Sequence, residues 1–317
     1  MTDIDSMHVA QIAGISSTPT VVGLGEALFD CFDDRDILGG APINFVVHAH
    51  RLLSVVGGRG VVVSRVGSDG LGDELCETLR VRGLDVSCIQ RDERRPTGTV
   101  RVTLDAGGHA EYDIVEGVAW DFLAPNAALD ELAGRCSAVC FGTLAQRSAT
   151  SRETIQRFVA QAPQALQVFD VNMRQQYFSG EVVEQGLRLA NFVKLNEDEL
   201  PRVCGLLGIA GNDDVERQAW ALYEAFDLRG LALTRGAKGT LLFRDGETYS
   251  GDVPAFSAEP GADSVGAGDG CCAGLVCGTL LGWPPRRIVD LANAVGAFVA
   301  GRRGATPELP ESILPTL

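Results

Sequence analysis

No predominantly apolar run in this 317-residue chain reaches the ~20 residues that a helix needs to cross a bilayer. The N-terminus lacks the basic flank and long apolar core of a secretory leader, which predicts a cytoplasmic protein with no membrane partner. Clustered basic residues are missing too. The formal net charge is −15, and Arg91, Arg94 and Arg95 are interleaved with Asp92 and Glu93, so no nucleic-acid surface is expected. The nine cysteines include no C-x-x-C pair, so no zinc site is expected. Their odd number and apolar neighbours predict reduced, buried small residues. His48 and His50 look like a metal pair but lie two apart on a helical stretch, pointing to different faces. There is no internal repeat, no low-complexity linker and no G-x-x-x-x-G-K-[ST] phosphate loop.

What the chain does have is a small-residue stretch near its C-terminal end, Asp263-Ser264-Val265-Gly266-Ala267-Gly268-Asp269-Gly270, leading into an apolar run from Cys271 to Leu281. The run reads as a helix, which makes Gly266 to Gly268 a loop feeding a helix N-terminus. Unpaired N–H groups and the positive end of the helix dipole attract anions there. A resident acid is odd at such a place, since it repels a phosphate. Asp269 makes chemical sense as a base taking the proton from a hydroxyl that attacks the phosphate. It makes structural sense as a helix N-cap. From the octapeptide alone both readings stand.

Along the chain, residues 1–18 read as a loose tail. Thr20 to Glu26 is a β-branched strand entering a glycine pair, and Ala27 to Phe32 continues extended, carrying Asp30. Leu38-Gly39-Gly40-Ala41-Pro42-Ile43-Asn44 opens a helix to about Leu53, with Pro42 in its first turn. Asn44 is either a capping residue or an amide offered to a ligand. Val86 to Gln90, Gly98 to Asp105 and His109 to Val115 are short and alternating. With the first strands they predict a small antiparallel sheet, half exposed, of the kind that closes over a substrate. From Asn126 onward short apolar strands alternate with helices, as Ala138 to Gly142, Gln167 to Val171, Phe192 to Leu195 and Gly230 to Leu233 show. The expected fold class is α/β: a three-layer, mostly parallel sheet with helices on both faces, plus the small antiparallel β lid. Ligands of such sheets gather at the carboxyl ends of strands, where Asp170 to Arg174, Asn196 to Glu199 and Thr234 to Gly239 fall.

These segments together resemble the ribokinase-like (PfkB) carbohydrate kinases, most of all bacterial fructokinases. Asp263 to Asp269 is similar to the D-T-x-G-A-G-D signature of that family, and Gly39 to Asn44 to its N-terminal glycine signature. Gly67-Ser-Asp-Gly-Leu-Gly72, Asn196-x-x-Glu199 and Thr234-Arg-Gly-Ala-Lys-Gly239 follow in the family's order. The resemblance covers residues 20–310 as a single domain, with the lid supplied by segments of about 26–38 and 86–118. It implies ATP-dependent phosphoryl transfer to a sugar hydroxyl. Gly266, Ala267 and Gly268 are then the anion hole, Asp269 the base, and Arg174 a partner for a phosphate oxygen. Asp30, Gly39, Gly40 and Asn44 hold the sugar. Asn196, Thr234, Gly236, Lys238, Gly239, Gly268 and Asn293 border the nucleotide. Glu199 acts on Mg2+ through water. Asp263, Val265, Val299, Arg302, Gly304 and Glu308 surround a monovalent cation, K+, some through backbone carbonyls.

The chain also departs from the family pattern. Ser264 replaces threonine and keeps the hydroxyl. Val171 stands where D-P-N-x-R has proline, and Gly270-Cys271 replaces a small-then-aromatic pair. Gly25-Glu26 with Asp30, and the D-x-N-x-R and K-L-N-E-x-E-L segments, resemble fructokinases more than ribokinases, so the implied reaction is fructose to fructose 6-phosphate. Another ketose, ribose, a sugar acid, a nucleoside or a catalytically silent sugar-binding role are the alternatives, and Tyr112 to Asp121 is placed to reshape the sugar pocket. A homodimer through the lid sheet is a further expectation. A nicotinamide-dependent dehydrogenase is the rival from another class, because Gly268-x-Gly270-x-x-Ala273 mimics a dinucleotide fingerprint. It is opposed by the loop's place near the C-terminus, which leaves no room for a following βαβ unit.

Overall fold

The computed structural model of the chain describes residues 18–31, 35–104, 110–209 and 214–316. Nearly all of the expected tail, residues 32–34 of the first lid segment and residues 105–109 of the second lie outside them. Strand β1 (Thr20–Leu24) is the pivot. It pairs in parallel with β4 (Arg59–Gly67) on one side and with β8 (Ala138–Gly142) on the other. From β8 the sheet runs through β9 (Leu166–Asp170), β10 (Phe192–Asn196) and β11 (Gly230–Thr234), all parallel. An antiparallel hairpin, β12 (Thr240–Arg244) and β13 (Glu247–Ser250), closes one edge. The order in this nine-stranded sheet reverses between β1 and β8. Open sheets of this kind collect ligands at the carboxyl ends beside that reversal.

Alternation along the strands sorts the core into two halves. Val22, Leu24, Phe141, Phe169, Leu195 and Leu233 pack under one helical layer, which includes Ala149–Ala160 and Gly180–Leu189. Val21, Cys140, Val168, Phe192 and Ala232 face the helices Ala41–Leu53, Ala267–Leu280 and Pro285–Ala300. Gly270, Gly274 and Gly278 recur every four residues along the Ala267–Leu280 helix. A Cβ on Gly274 would lie 2.6 Å from the Ala292 Cα, so the small-residue spacing is what lets the last two helices touch. All nine cysteines are free thiols. Among the described residues no helix is long and apolar enough to cross a membrane.

The smaller sheet has the order β3-β2-β6-β7, with β2 (Leu28–Cys31), β3 (Asp36–Gly39), β6 (Gly98–Leu104) and β7 (Ala110–Ile114). Its outer pairs are antiparallel, but β2 and β6 run parallel. The segment expected to join it from Val86 to Gln90 does not. Strand β5 (Ile89–Asp92) extends the main sheet in parallel with β4. The reason is local: Asp92 is buried against the Arg65 guanidinium on β4, with 2.9 Å between Nε and Oδ2. An alternating strand can cover either sheet, and this ion pair selects the larger one.

Candidate active site

The chain leaves β1 through Gly25 and Glu26, turns into β2 and β3, and returns to the sheet at Gly40. Gly40 has φ 106°, and a Cβ there would come within 2.5 Å of the Glu26 carbonyl oxygen. The glycine pair thus lets the mouth of the Ala41–Leu53 helix lie directly on the chain leaving β1. At Gly39 the missing Cβ leaves room for the Asp30 carboxylate, whose Oδ2 would be 2.9 Å from it.

Opposite this mouth, Gly266 sits in the left-handed region at φ 76° as the N-cap of the Ala267–Leu280 helix, and no side chain bonds that first turn. A Cβ on Gly266 would meet the Ala305 backbone at 2.5–2.6 Å, so the loop is pressed against residue 305. Among the described residues, the N–H groups of Gly268 and Asp269 meet no backbone acceptor, while Ala267 donates to the Ser264 oxygen. This is the exposed N–H set expected of an anion site.

The two ends meet at Asp269. Its carboxylate does not cap the helix; Oδ2 instead accepts from Asn44 Nδ2 at 2.8 Å, with both residues buried. Asn44 is not a cap either, and its Oδ1 is buried with no partner. Asn44 and Asp269, 225 residues apart, therefore form one unit at the floor of a cleft of about 710 Å3. Asp30, Gly40, Arg174, Asn196, Thr234, Val265, Gly266 and Gly268 also line that cleft.

Two further residues belong to it that the motifs did not single out. Lys194, in the middle of β10, is buried, and its Nζ lies 3.0 and 3.1 Å from the two Asp170 oxygens on the neighbouring strand. A Cβ on Gly268 would be 3.1 Å from that Nζ, so the ammonium sits just under the anion loop. Burial works against its charge, but Asp170, and more weakly Glu199 and Asp269, outweigh it and hold the lysine protonated well above its usual range. A lone lysine in the apolar strand Phe-Val-Lys-Leu-Asn was the available signal, since buried lysines need a partner. Glu26 is the second. It is 3% exposed, its Oε2 has no partner, and burial, reinforced by the Asp269 charge, pushes its carboxyl up to about 7. Asp30 is likewise pushed up to about 6, by burial and by Asp263, with Arg174 opposing.

The remaining predicted residues fall into three groups. Arg174 lies in a loop where Asn172 and Gln175 hold positive φ (40° and 46°), braced by Thr143 Oγ1 donating to the Val171 oxygen at 2.9 Å. Val171 uses an N–H that proline lacks, donating to the Lys194 oxygen at 3.0 Å. Glu199 is spent on backbone: Oε1 accepts from Met173 N at 2.8 Å and Oε2 from Asn196 N at 2.9 Å. Asn196 answers by accepting from the Glu199 N–H, the reciprocal pairing of a capping box. Gly236, Lys238 and Gly239 form the turn between β11 and β12, and Lys238 reaches Glu197 at the surface. Asn293 closes against that turn, accepting from Thr240 N and donating to the carbonyls of Gly251 and Asp252.

At the rear of the anion loop, Asp263 pairs with Arg302 through backbone, and its carboxylate accepts from the N–H groups of Val265 and Gly304. The Val299 carbonyl accepts from Arg302 N. These five positions are gathered. Glu308 is not with them; it is exposed and lines a separate cavity. Gly270-Cys271 packs on the Pro285–Ala300 helix and on Thr240, whose Oγ1 is 3.3 Å from Cys271 Sγ, which places the departure behind the site.

Comparison with known proteins agrees with this geometry. A fructokinase of Escherichia coli is 31% identical over 310 residues, covering 90% of this chain and 95% of its own. A putative sugar kinase of Pyrococcus horikoshii is 30% identical over 313 residues, covering 92% and 94%. Among solved structures, fructokinase with bound ATP from Xylella fastidiosa superposes with a TM-score of 0.74 at 25% identity, covering 93% of this chain and 95% of that one. The model of the pfkB family carbohydrate kinases matches residues 20–312. With a cleft floored by the anion loop and that match along nearly its whole length, the chain belongs to the pfkB family of carbohydrate kinases, enzymes that transfer phosphate to a sugar hydroxyl.

Proposed function

We propose that this kinase is an ATP-dependent fructokinase that makes fructose 6-phosphate. The single observation that supports the assignment of roles is the Asn44–Asp269 hydrogen bond, which joins the sugar-side helix mouth to the anion loop. In this reading Asp30, Asn44 and the backbone at Gly39 and Gly40 hold the sugar hydroxyls, and the attacking hydroxyl lies against Asp269. Its oxygen bonds to the γ-phosphorus while the bond to the β–γ bridging oxygen breaks. ADP leaves with that electron pair, and Asp269 takes the hydroxyl proton. The N–H groups that the loop leaves free, at Gly268 and Asp269, oppose the charge that builds on the transferring group, and the Lys194 ammonium beneath them adds to that field. Arg174 supplies a charged donor from the lid side of the cleft.

The nucleotide lies along Asn196, Thr234, Gly236, Lys238, Gly239 and Asn293. Mg2+ would be held through water beside Asn196 and Glu199, which fits a carboxylate whose two oxygens already serve backbone N–H groups, and it would neutralise phosphate charge. K+ would rest on the carbonyls and carboxylate gathered at Asp263, Val265, Val299, Arg302 and Gly304, and there it would stiffen the loop. A dimer pairing the lid's outer strands, β3 or β7, completes the reading, and a monomer by light scattering at micromolar concentration would remove it. The substrate is tested by ATP consumption across fructose, ribose, sugar acids and nucleosides, with and without potassium. Fructose is expected to give the highest kcat/KM. Preference for another class would replace the sugar, and no turnover on any would favour a silent relative.

A further inference from the structure

Two acceptor atoms on the sugar side of the cleft are buried and unpartnered, Glu26 Oε2 and Asn44 Oδ1. The chain brings them to one place. The Glu26 carboxylate already accepts from the N–H of Ala41, the first residue of the Ala41–Leu53 helix. Asn44 stands three residues on, and side chains lean back toward a helix N-terminus, so the amide and the carboxyl share one face of that first turn. Two buried acceptors with no donor are a costly arrangement, and one proton between them removes the cost. A carboxylic acid has an O–H to give, and an amide oxygen can take it.

The other end of the Asn44 amide is committed, with Nδ2 donating to Asp269 Oδ2 at 2.8 Å. Asn44 thus stands between two carboxyl groups with a single amide nitrogen to offer. If both are ionised they compete for that nitrogen, and the amide has no preferred way round. If Glu26 is neutral, its O–H meets Oδ1, and Nδ2 faces Asp269. The surroundings favour the neutral form. Burial is the largest influence on Glu26, and Asp269 on the facing helix adds to it, so the carboxyl is pushed up to about 7 against the pull of Arg174. Asp30 on β2 and Lys194 on β10 are the other charged groups lining the cleft on this side, and Lys194 is held by Asp170. His48, on the helix that carries Asn44, is turned away to the Ala305 carbonyl.

We propose that Glu26 is a positioning residue: as a neutral acid it donates to Asn44 Oδ1, holding Asn44 Nδ2 on Asp269 and leaving Asp269 Oδ1 to the attacking hydroxyl. The effect on rate rests on Asp269 being the base, whereas the state of Glu26 does not. Glu26→Gln keeps a donor and an acceptor, and Glu26→Met keeps the volume with neither. At saturating sugar, ATP and Mg2+, wild-type kcat is expected to fall as pH rises above about 7, the limb that Glu26→Gln should lack. Glu26→Met should run at least about 10-fold slower than Glu26→Gln at every pH, with the KM for ATP within a few-fold. An infrared difference spectrum, wild type minus Glu26→Gln, should show the carbonyl band of a protonated carboxyl that fades over the same pH range. That band needs neither turnover nor a folded Glu26→Met. Its absence, a falling limb retained in Glu26→Gln, or Glu26→Met as fast as Glu26→Gln would overturn the proposal. Wild-type transfer by Asp269→Asn with the band present would remove the base and leave the Glu26–Asn44 bond.

Discussion

The two walls of the cleft are built differently. The anion-loop wall is backbone on a buried foundation: Gly266 against Ala305, Gly268 over Lys194, Asp269 tied to Asn44. The lid wall is side chain on thin sheet. Asp30 and Arg174 project from β2 and from a loop with two residues at positive φ, and Arg174 is exposed. The difference teaches where each property of the enzyme is stored. In the proposed reaction, backbone dipoles fixed by packing would stabilise charge on any γ-phosphoryl group and would not distinguish sugars. In that reaction Asp30, on the smaller sheet, would distinguish sugars and contribute little to the transfer step itself, while Arg174 reaches the same cleft from a loop of the main sheet.

The largest break in that division is expected at Gly266. Gly266→Ala adds a Cβ at positive φ where the Ala305 backbone already stands, so the loop must shift. Loss of one well-placed donor costs on the order of 10²–10³ in kcat, and steady-state kinetics should show it with the sugar KM nearly unchanged. Lys194→Met tests the foundation. It leaves Asp170 buried without its counter-charge, and chemical denaturation should show a loss of about 3–5 kcal/mol. On the lid wall, Asp30→Asn should raise the sugar KM by roughly 10-fold, with a smaller effect on kcat, because a neutral amide replaces one charge-assisted bond to a hydroxyl. A kcat loss at Asp30 matching that at Gly266 would erase the contrast.

The smallest effect concerns pH. Glu26 binds its proton more tightly folded than unfolded, its carboxyl rising from 4.5 to about 7. The folded state therefore holds more protons than the unfolded one across that window, and stability falls as pH rises through it. Asp30 contributes with the same sign up to about 6. Glu26→Gln should flatten the decline in thermal unfolding between about pH 6 and 7, a slope of at most about 1.4 kcal/mol per pH unit for one proton. An unchanged slope would place the titration elsewhere.

The same division explains what the sequence made legible. Glycine, alanine and a lone acid in a row announce a backbone site because few other uses demand that composition, so residues 263–270 stood out before any fold was known. The βα rhythm after Asn126 was legible for a similar reason: four buried strands must be largely apolar, and Lys194 in β10 is tolerated because Asp170 pairs with it. The Asn44–Asp269 bond was not legible, because nothing local to either residue names a partner 225 positions away. Glu26 was quoted only as part of a fructokinase-like pattern, and its orphaned oxygen is a property of packing. Val86 to Gln90 was assigned to the lid sheet, and the structure places it on the main one, because alternation alone does not choose between two sheets. Arg65 on β4, which decides it, carries no mark in the sequence of its target. Glu308 was placed with the cation residues by resemblance to the family, and in the structure it is exposed and lines a separate cavity.

The measurement closest to the central claim is a single-turnover phosphoryl transfer by Asp269→Asn, saturated with ATP and with the best sugar from the substrate screen. The asparagine keeps the shape and a hydrogen bond to Asn44 but cannot take a proton. The account predicts transfer slowed by about 10³-fold with sugar and nucleotide affinities within a few-fold of wild type. Transfer at the wild-type rate would contradict it, and would leave Asp269 as a residue that only orders the mouth of the cleft.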